Sequence, residues 1–179
     1  MYLKSLYFCI YLSSFNIMFS NNNLIDIGVE SVKSLGNEEY LIDIYAKNSL
    51  PIAGIQFDIL GEKFKDTNAN KKWDVGEKFE DANENGKYDS ELFDMLDVTG
   101  GRAEKNGLEF HTGKDKGVIL AFSMKGNTIA PTKDLESLTL FTIKVKKKSD
   151  LPLSFNVRPI IAGQRGVKLE SRFIPTVIK

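Results

Sequence analysis

Between Asp66 and Asp89 the chain reads DTNANKKWDVGEKFEDANENGKYD, with Asp or Asn at alternate positions, twice over. FKDTNANKKWD (Phe64 to Asp74) and FEDANENGKYD (Phe79 to Asp89) follow one template at a fifteen-residue offset. Phe64 matches Phe79, Asp66 matches Asp81, Asn68 matches Asn83, Asn70 matches Asn85, Trp73 matches Tyr88 and Asp74 matches Asp89. A solvated polar loop has no reason to repeat oxygen donors in phase with aromatic residues. Carboxylates and carboxamides at alternate places offer oxygen and nothing softer. That is the ligand set of a hard cation, and calcium takes six to eight oxygens at roughly 2.3–2.6 Å.

The spacing is that of an EF-hand-type calcium loop, with donors from alternate side chains, one backbone carbonyl and a closing bidentate carboxylate. In the first loop the donors are Asp66, Asn68, Asn70, Asp74 and Glu77, with the Lys72 carbonyl between them. Glu77 stands at the twelfth place, where the bidentate glutamate belongs. In the second loop they are Asp81, Asn83, Asn85 and Asp89, with the Lys87 carbonyl. Each loop departs from the pattern in its own way. The first has Lys71 at the sixth place, where the sharp turn favours glycine, and a left-handed residue there costs roughly 1 kcal/mol. The second has Gly86 at that place but Leu92 at its twelfth, which leaves Glu91 or Asp94 as candidate substitutes from a shifted register. Only Val75 to Glu80 separates the loops, too short for the flanking helices of an EF-hand pair. The arrangement is similar to the back-to-back loops of dockerin modules and thrombospondin type 3 repeats, and the expected cofactor is Ca2+.

What must hold these loops is the rest of a 179-residue chain, enough for one domain with a real core and a small insertion. Lysine plus arginine and aspartate plus glutamate both number 24, so the net charge is zero and nothing points to nucleic acid. MYLKSLYFCIYLSSFNIMFS, residues 1–20, has one lysine and then an uncharged apolar stretch, which reads as a secretory signal peptide. It is short and serine-interrupted for a spanning helix, so a membrane anchor is the weaker reading. The mature chain, residues 21–179, is then secreted, extracellular or at the cell surface, with no membrane association after cleavage. Its only cysteine, Cys9, leaves with the leader. Disulfides are excluded, and a metal ion is the remaining staple for long loops.

After Asn23 the apolar residues alternate with polar ones, as half-buried strands require. LIDIGVESV, EYLIDIYAK, AGIQFDIL, GLEFHTG, GVILAFSM, SLTLFTIKV, LSFNV and VKLESRFIPTVI give about nine strands. The pattern predicts an all-β, two-sheet antiparallel sandwich. Residues 62–94 break the rhythm, with ten acids and six lysines, a net charge of 6 − 10 = −4. They are expected to project as the calcium-loop excursion, since such residues cannot fill a core.

The strands on either side carry a family likeness. LPIAGIQFDI (Leu50 to Ile59) resembles the third-strand region of cohesin modules, and GVILAFSMKGNTIAPTKDLESLTLFTIKV (Gly117 to Val145) resembles their later strands. The resemblance implies a nine-stranded, jelly-roll-like sandwich related in fold to carbohydrate-binding modules. It also implies a non-catalytic adhesion or scaffolding role, with a dockerin-like or cell-surface protein as partner. The alternative is carbohydrate binding to a polysaccharide, which needs a planar row of exposed aromatics. Tyr40, Tyr45, Phe57, Phe110 and Phe122 are the candidates. His111 is the only histidine, and with no mature cysteine, thiolate chemistry and cysteine-based zinc sites are excluded, so no enzyme is expected. KVKKKSD (Lys144 to Asp150) reads as a charged strand end on a solvated face.

Overall fold

The computed structural model describes residues 24–132 and 138–179, and the leader expected over residues 1–20 lies outside them. Among the described residues no helix is long and apolar enough to cross a membrane. Strands are numbered along the chain. One sheet, sheet I, contains β1 (Ile25–Gly36), β2 (Glu39–Lys47), β4 (Phe93–Thr99), β7 (Thr139–Lys147) and β11 (Ser171–Ile174), in the order β11-β1-β2-β7-β4. The other, sheet II, contains β3 (Gly54–Ile59), β5 (Glu109–Gly113), β6 (Val118–Phe122), β9 (Val157–Ala162) and β10 (Lys168–Leu169), in the order β10-β9-β3-β6-β5. A third, small ribbon pairs β8 (Leu153–Phe155) with β12 (Thr176–Ile178).

Alternation turns one face of each sheet inward. Tyr40, Ile42 and Ile44 of β2, Phe141, Ile143 and Val145 of β7, and Ile55, Phe57 and Ile59 of β3 are all buried. Phe57 meets Phe141 edge-on across the two sheets at 5.2 Å, and Phe110 meets the same ring at 5.6 Å. Such edge contacts contribute about 0.5–1.5 kcal/mol each beyond the area they bury. The β1–β2 hairpin turns at Asn37 and Glu38, both at positive φ (52° and 61°), as a two-residue type I′ turn requires.

The expected nine strands are twelve among the described residues, and the reason is local. LSFNV divides at Asn156 into β8 and β9. VKLESRFIPTVI divides at Glu170 and at Pro175, which has no N–H to give a ladder, into β10, β11 and β12. At the first break the chain leaves sheet II for sheet I. There β11 runs parallel to β1, with Ile27 beside Phe173, a parallel pair in an otherwise antiparallel sandwich. A five-residue helix, α1 (Gly101–Lys105), follows β4. Its Arg102 is buried and donates to the carbonyls of Ala46 and Ala130 and to Asn48 Oδ1, pinning three segments together. Burial lowers its pKa.

The excursion leaves after β3, in the middle of sheet II, and returns as β4 at the edge of sheet I. It ends two residues earlier than expected, because Phe93 and Asp94 already belong to β4. The lysine-rich end of β7 is neutralised locally. Lys144 pairs with Glu39 at 2.7 Å, Lys147 with Glu38 at 3.1 Å, and Lys148 with Glu91 at 3.1 Å and Asp94 at 2.9 Å.

Candidate functional site: a double loop beside an open sheet face

The two loops fold alike, with one difference: Asp81 Oδ1 accepts the Asn85 N–H at 3.1 Å, whereas Asp66 Oδ1 accepts none. The first aspartate of each accepts the N–H of the sixth residue: Asp66 Oδ2 from Lys71 at 2.8 Å and Asp81 Oδ2 from Gly86 at 2.7 Å. Asn68 Oδ1 accepts the N–H of Asn70 at 3.0 Å, and Asn83 Oδ1 that of Asn85 at 3.3 Å. Asn70 Oδ1 accepts from Lys72 and Asn85 Oδ1 from Lys87, both at 2.7 Å. The sixth residues are left-handed, with Lys71 at φ 65° and Gly86 at 75°. The fourth residues, Ala69 and Glu84, are left-handed too (60° and 57°), a demand the spacing did not announce. Loop 1 therefore carries two non-glycine residues in this conformation and loop 2 carries one.

In both loops the carboxamides turn their nitrogens to the ninth residue. Asn68 and Asn70 each donate to Asp74 Oδ2 at 2.7 Å, and Asn83 and Asn85 donate to Asp89 Oδ2 at 2.7 and 2.6 Å. Amides interposed in this way keep the acids apart. Among the described residues no three acidic, histidine or cysteine side chains stand close enough to hold a metal by themselves. The oxygens that remain uncommitted are the ones a cation would use. Asp66 Oδ1 is buried with no hydrogen-bond partner, and the carbonyls of Lys72 and Lys87 accept no hydrogen bond among the described residues.

Glu77 is the twelfth residue of loop 1. Glu77 is buried, and its Oε1 accepts the N–H and hydroxyl of Thr67 at 2.6 and 2.7 Å while Oε2 accepts the N–H of Asp74 at 3.1 Å. The Thr67 N–H, then its hydroxyl, holds the Glu77 carboxyl below the usual carboxylate range. In loop 2 both proposed substitutes are engaged elsewhere. Glu91 and Asp94 are both taken by Lys148, and Leu92 is buried in the core. A residue not singled out from the sequence occupies the place instead. Glu62 Oε1 accepts the N–H of Ala82 at 2.7 Å and Oε2 that of Asp89 at 2.9 Å. The signal was available: GEKF occurs at Gly61–Phe64 and again at Gly76–Phe79, in phase with the loops.

Four aromatics join the loops into a small satellite core. Trp73 stacks on Tyr88 at 4.9 Å, and Phe79 meets both rings edge-on at 6.0 and 5.9 Å. Phe64 meets Tyr88 at 5.5 Å. The Trp73 indole N–H donates to the Glu77 carbonyl at 3.0 Å. Burial, with Glu62 as a lesser cause, raises the Tyr88 pKa.

The sandwich has two outer faces, and they differ. On sheet I, Asp43 accepts from Ser31 and Thr142 at 2.6 Å each, Arg172 pairs with Asp26, and Glu39 pairs with Lys144. That face is largely polar, with Asp26, Glu39 and Asp43 engaged by its own residues, and the exposed Ile174 lies at its β11 edge. On sheet II the register sets three rows of outward side chains: Ala162, Gly54, Phe122 and Glu109; Ile160, Gln56, Leu120 and His111; Arg158, Asp58, Val118 and Gly113. Leu120, Phe122 and Ile160 are each more than a third exposed, and His111 stacks on Phe122 at 4.9 Å. The last row is charged, with Arg158 gripping Asp58 through Nε at 3.0 Å and Nη2 at 2.5 Å. Between this row and the double loop lies a cavity of about 740 Å³ whose walls include Asp58, Arg158, Lys116, Glu62 and Tyr88. The excursion thus flanks the open face.

Of the five aromatic candidates for a carbohydrate platform, only Phe122 is exposed on a sheet face. Tyr40 and Phe57 are buried, Phe110 packs on the core, and Tyr45 lies half-buried over Gly28, where a Cβ would come within 2.8 Å of its ring.

No protein-family model matches the chain, and no curated protein matches it. Solved structures do. A chain of the CaDoc0917–CaCohA2 complex superposes with a TM-score of 0.53 at 12% identity, covering 87% of this chain and 98% of that one. A chain of the Coh-OlpC–Doc435 complex, a type I cohesin–dockerin complex from Clostridium thermocellum, gives 0.51 at 12% identity, covering 87% and 92%. The third ScaB cohesin of R. flavefaciens, in complex with a group 1 dockerin, gives 0.50 at 15% identity, covering 89% and 96%. At these identities the likeness defines the fold, and that fold is a cohesin-like β-sandwich.

Proposed function

We propose that this chain is a secreted, non-catalytic docking module that binds a protein partner on the open face of sheet II and carries calcium in the double loop beside it. The observation that carries the docking reading is the contrast between the two faces. One sheet presents mostly polar and charged groups across its centre, with its exposed Ile174 at the β11 edge. The other leaves Leu120, Phe122 and Ile160 in water with a charged row beneath them. Apolar centre and polar margin are the composition of a protein interface. A dockerin-like module is the partner class that the structural neighbours favour. Carbohydrate binding loses support because Phe122 stands without an aromatic row. The calcium reading rests on the uncommitted oxygens, Asp66 Oδ1 above all, within loops of matching donor spacing. The asparagine amides fit it once rotated by half a turn, which presents oxygen where nitrogen now stands.

The test is binding of the full mature chain to a panel of dockerin modules, measured by calorimetry with calcium present. Leu120→Asp with Phe122→Asp should abolish binding, while Lys146→Glu on sheet I should leave it intact. Equal binding by both variants, or retardation by soluble glucans without any protein partner, would overturn the docking reading.

A further inference from the structure

Resting on the calcium reading above, we infer that Glu62 is the closing carboxylate of the second loop. Each loop then holds its own hard divalent cation, and the two sites form one closed unit.

Three acids are buried among the described residues: Asp58, Glu62 and Glu77. Asp58 has Arg158 as its counter-charge. Glu62, 5% exposed, and Glu77, 9% exposed, form no ion pair with any described residue. A buried carboxylate without a cation is costly, and backbone N–H groups offset that cost only in part. Two such carboxylates one repeat apart, with Asp66 Oδ1 buried and unpartnered beside one of them, ask for positive charge that the chain itself does not supply.

The geometry says where that charge belongs. Glu77 takes the N–H groups of the second and ninth residues of loop 1, Thr67 and Asp74. Glu62 takes the N–H groups of the second and ninth residues of loop 2, Ala82 and Asp89. The same atoms are used in the same order. The means of delivery is a short antiparallel ribbon: Phe64 pairs with Phe79, the Lys65 N–H donates to Lys78 O, and the Glu80 N–H donates to Lys63 O, both at 2.8 Å. Antiparallel pairing about that point sets Glu62 opposite Asp81 and Glu77 opposite Asp66. Each glutamate is therefore carried to the first ligand of the loop it closes. Gly61 makes the crossing possible. A Cβ there would stand 2.2 Å from the Ser90 carbonyl, and the Glu62 N–H donates to Asp89 O at 2.9 Å. Gly76, its partner in the repeat, has open space around it.

The unit is a ring. Glu62 closes loop 2 and lies four residues before Asp66, which opens loop 1. Glu77 closes loop 1 and lies four residues before Asp81, which opens loop 2. Filling one site orders a ligand of the other.

The experiment is calcium titration of the full mature chain by calorimetry, with Trp73 emission followed in parallel. The unmodified chain should take two ions. Glu62→Gln should take one, or bind the second at least tenfold more weakly. Glu62→Gln also sets an amide N–H2 against one of the two backbone N–H groups, so its melting temperature in chelator is the baseline; the rise on adding calcium should be clearly smaller than that of the unmodified chain. A loss of calcium-dependent stabilisation, and not of baseline stability, separates a ligand from a merely structural residue. Glu62→Asp, which keeps the charge but shortens the reach, should also weaken the second site. Two ions bound by Glu62→Gln with affinities within twofold of the unmodified chain would overturn this inference and leave the calcium reading standing, as would a single ion in the unmodified chain. No ion bound by the unmodified chain would overturn both.

Discussion

Removing calcium should loosen the excursion before it touches the sandwich. The four aromatics of the satellite core are half-buried, whereas the rings of the sandwich core, Phe57, Phe93, Phe141 and Phe155, are buried outright. Trp73 is the only tryptophan and sits in that satellite, stacked on Tyr88 and tied to Glu77 O. Its emission therefore reports the loops alone. With dissociation constants of roughly 10⁻⁴–10⁻³ M, the range of extracellular modules, free calcium at tenfold excess adds RT ln 11, about 1.4 kcal/mol per ion. Two ions give about 2.8 kcal/mol. For a chain of this size each kcal/mol moves Tm by about 2–4 °C, so calcium should raise it by about 6–11 °C wherever loops and sandwich unfold together. Where the loops open alone, the same free energy appears in Trp73, as a red shift on chelation that reverses on adding calcium. Magnesium should do less, because it keeps its waters and demands tighter octahedral geometry. Unchanged emission and Tm up to several millimolar calcium would refute the metal cage. A rise in Tm with Trp73 silent would place the ion elsewhere.

Three further outcomes follow from single contacts. Asp66→Ala should lower calcium affinity at least tenfold, since it removes the buried unpartnered oxygen, while Asp97→Ala on the exposed side of β4 should not; calorimetry decides, and equal affinities would count against loop 1. Gly61→Ala should cost about 1–3 kcal/mol in urea denaturation, because its Cβ has no room against Ser90. A neutral effect would mean that the close crossing is not maintained in solution. Arg102→Met should destabilise the sandwich by about 2–4 kcal/mol, leaving the buried acceptors at Ala46, Asn48 and Ala130 without a donor, and should leave the calcium response of Trp73 unchanged.

Much of this was legible from one dimension because its causes are local. Alternation in EYLIDIYAK and GIQFDI follows from the two-residue pleat, so the inward residues of β2 and β3 could be named in advance. The two loops declared themselves through spacing, and the left-handed turn at Lys71 followed from that register. Three things needed the third dimension. VKLESRFIPTVI has a continuous alternating pattern, and only packing decides that it crosses from one sheet to the other and lies parallel to β1. Which outer face stays open depends on partners distant in sequence, such as Asp43 with Thr142, which the pattern of a single strand does not contain. The glutamate of loop 2 was sought downstream, at Glu91, because a loop read along the chain ends ahead of itself. Antiparallel pairing of Phe64 with Phe79 brings Glu62 to that place from behind, since hydrogen bonding between segments joins residues by proximity and not by order.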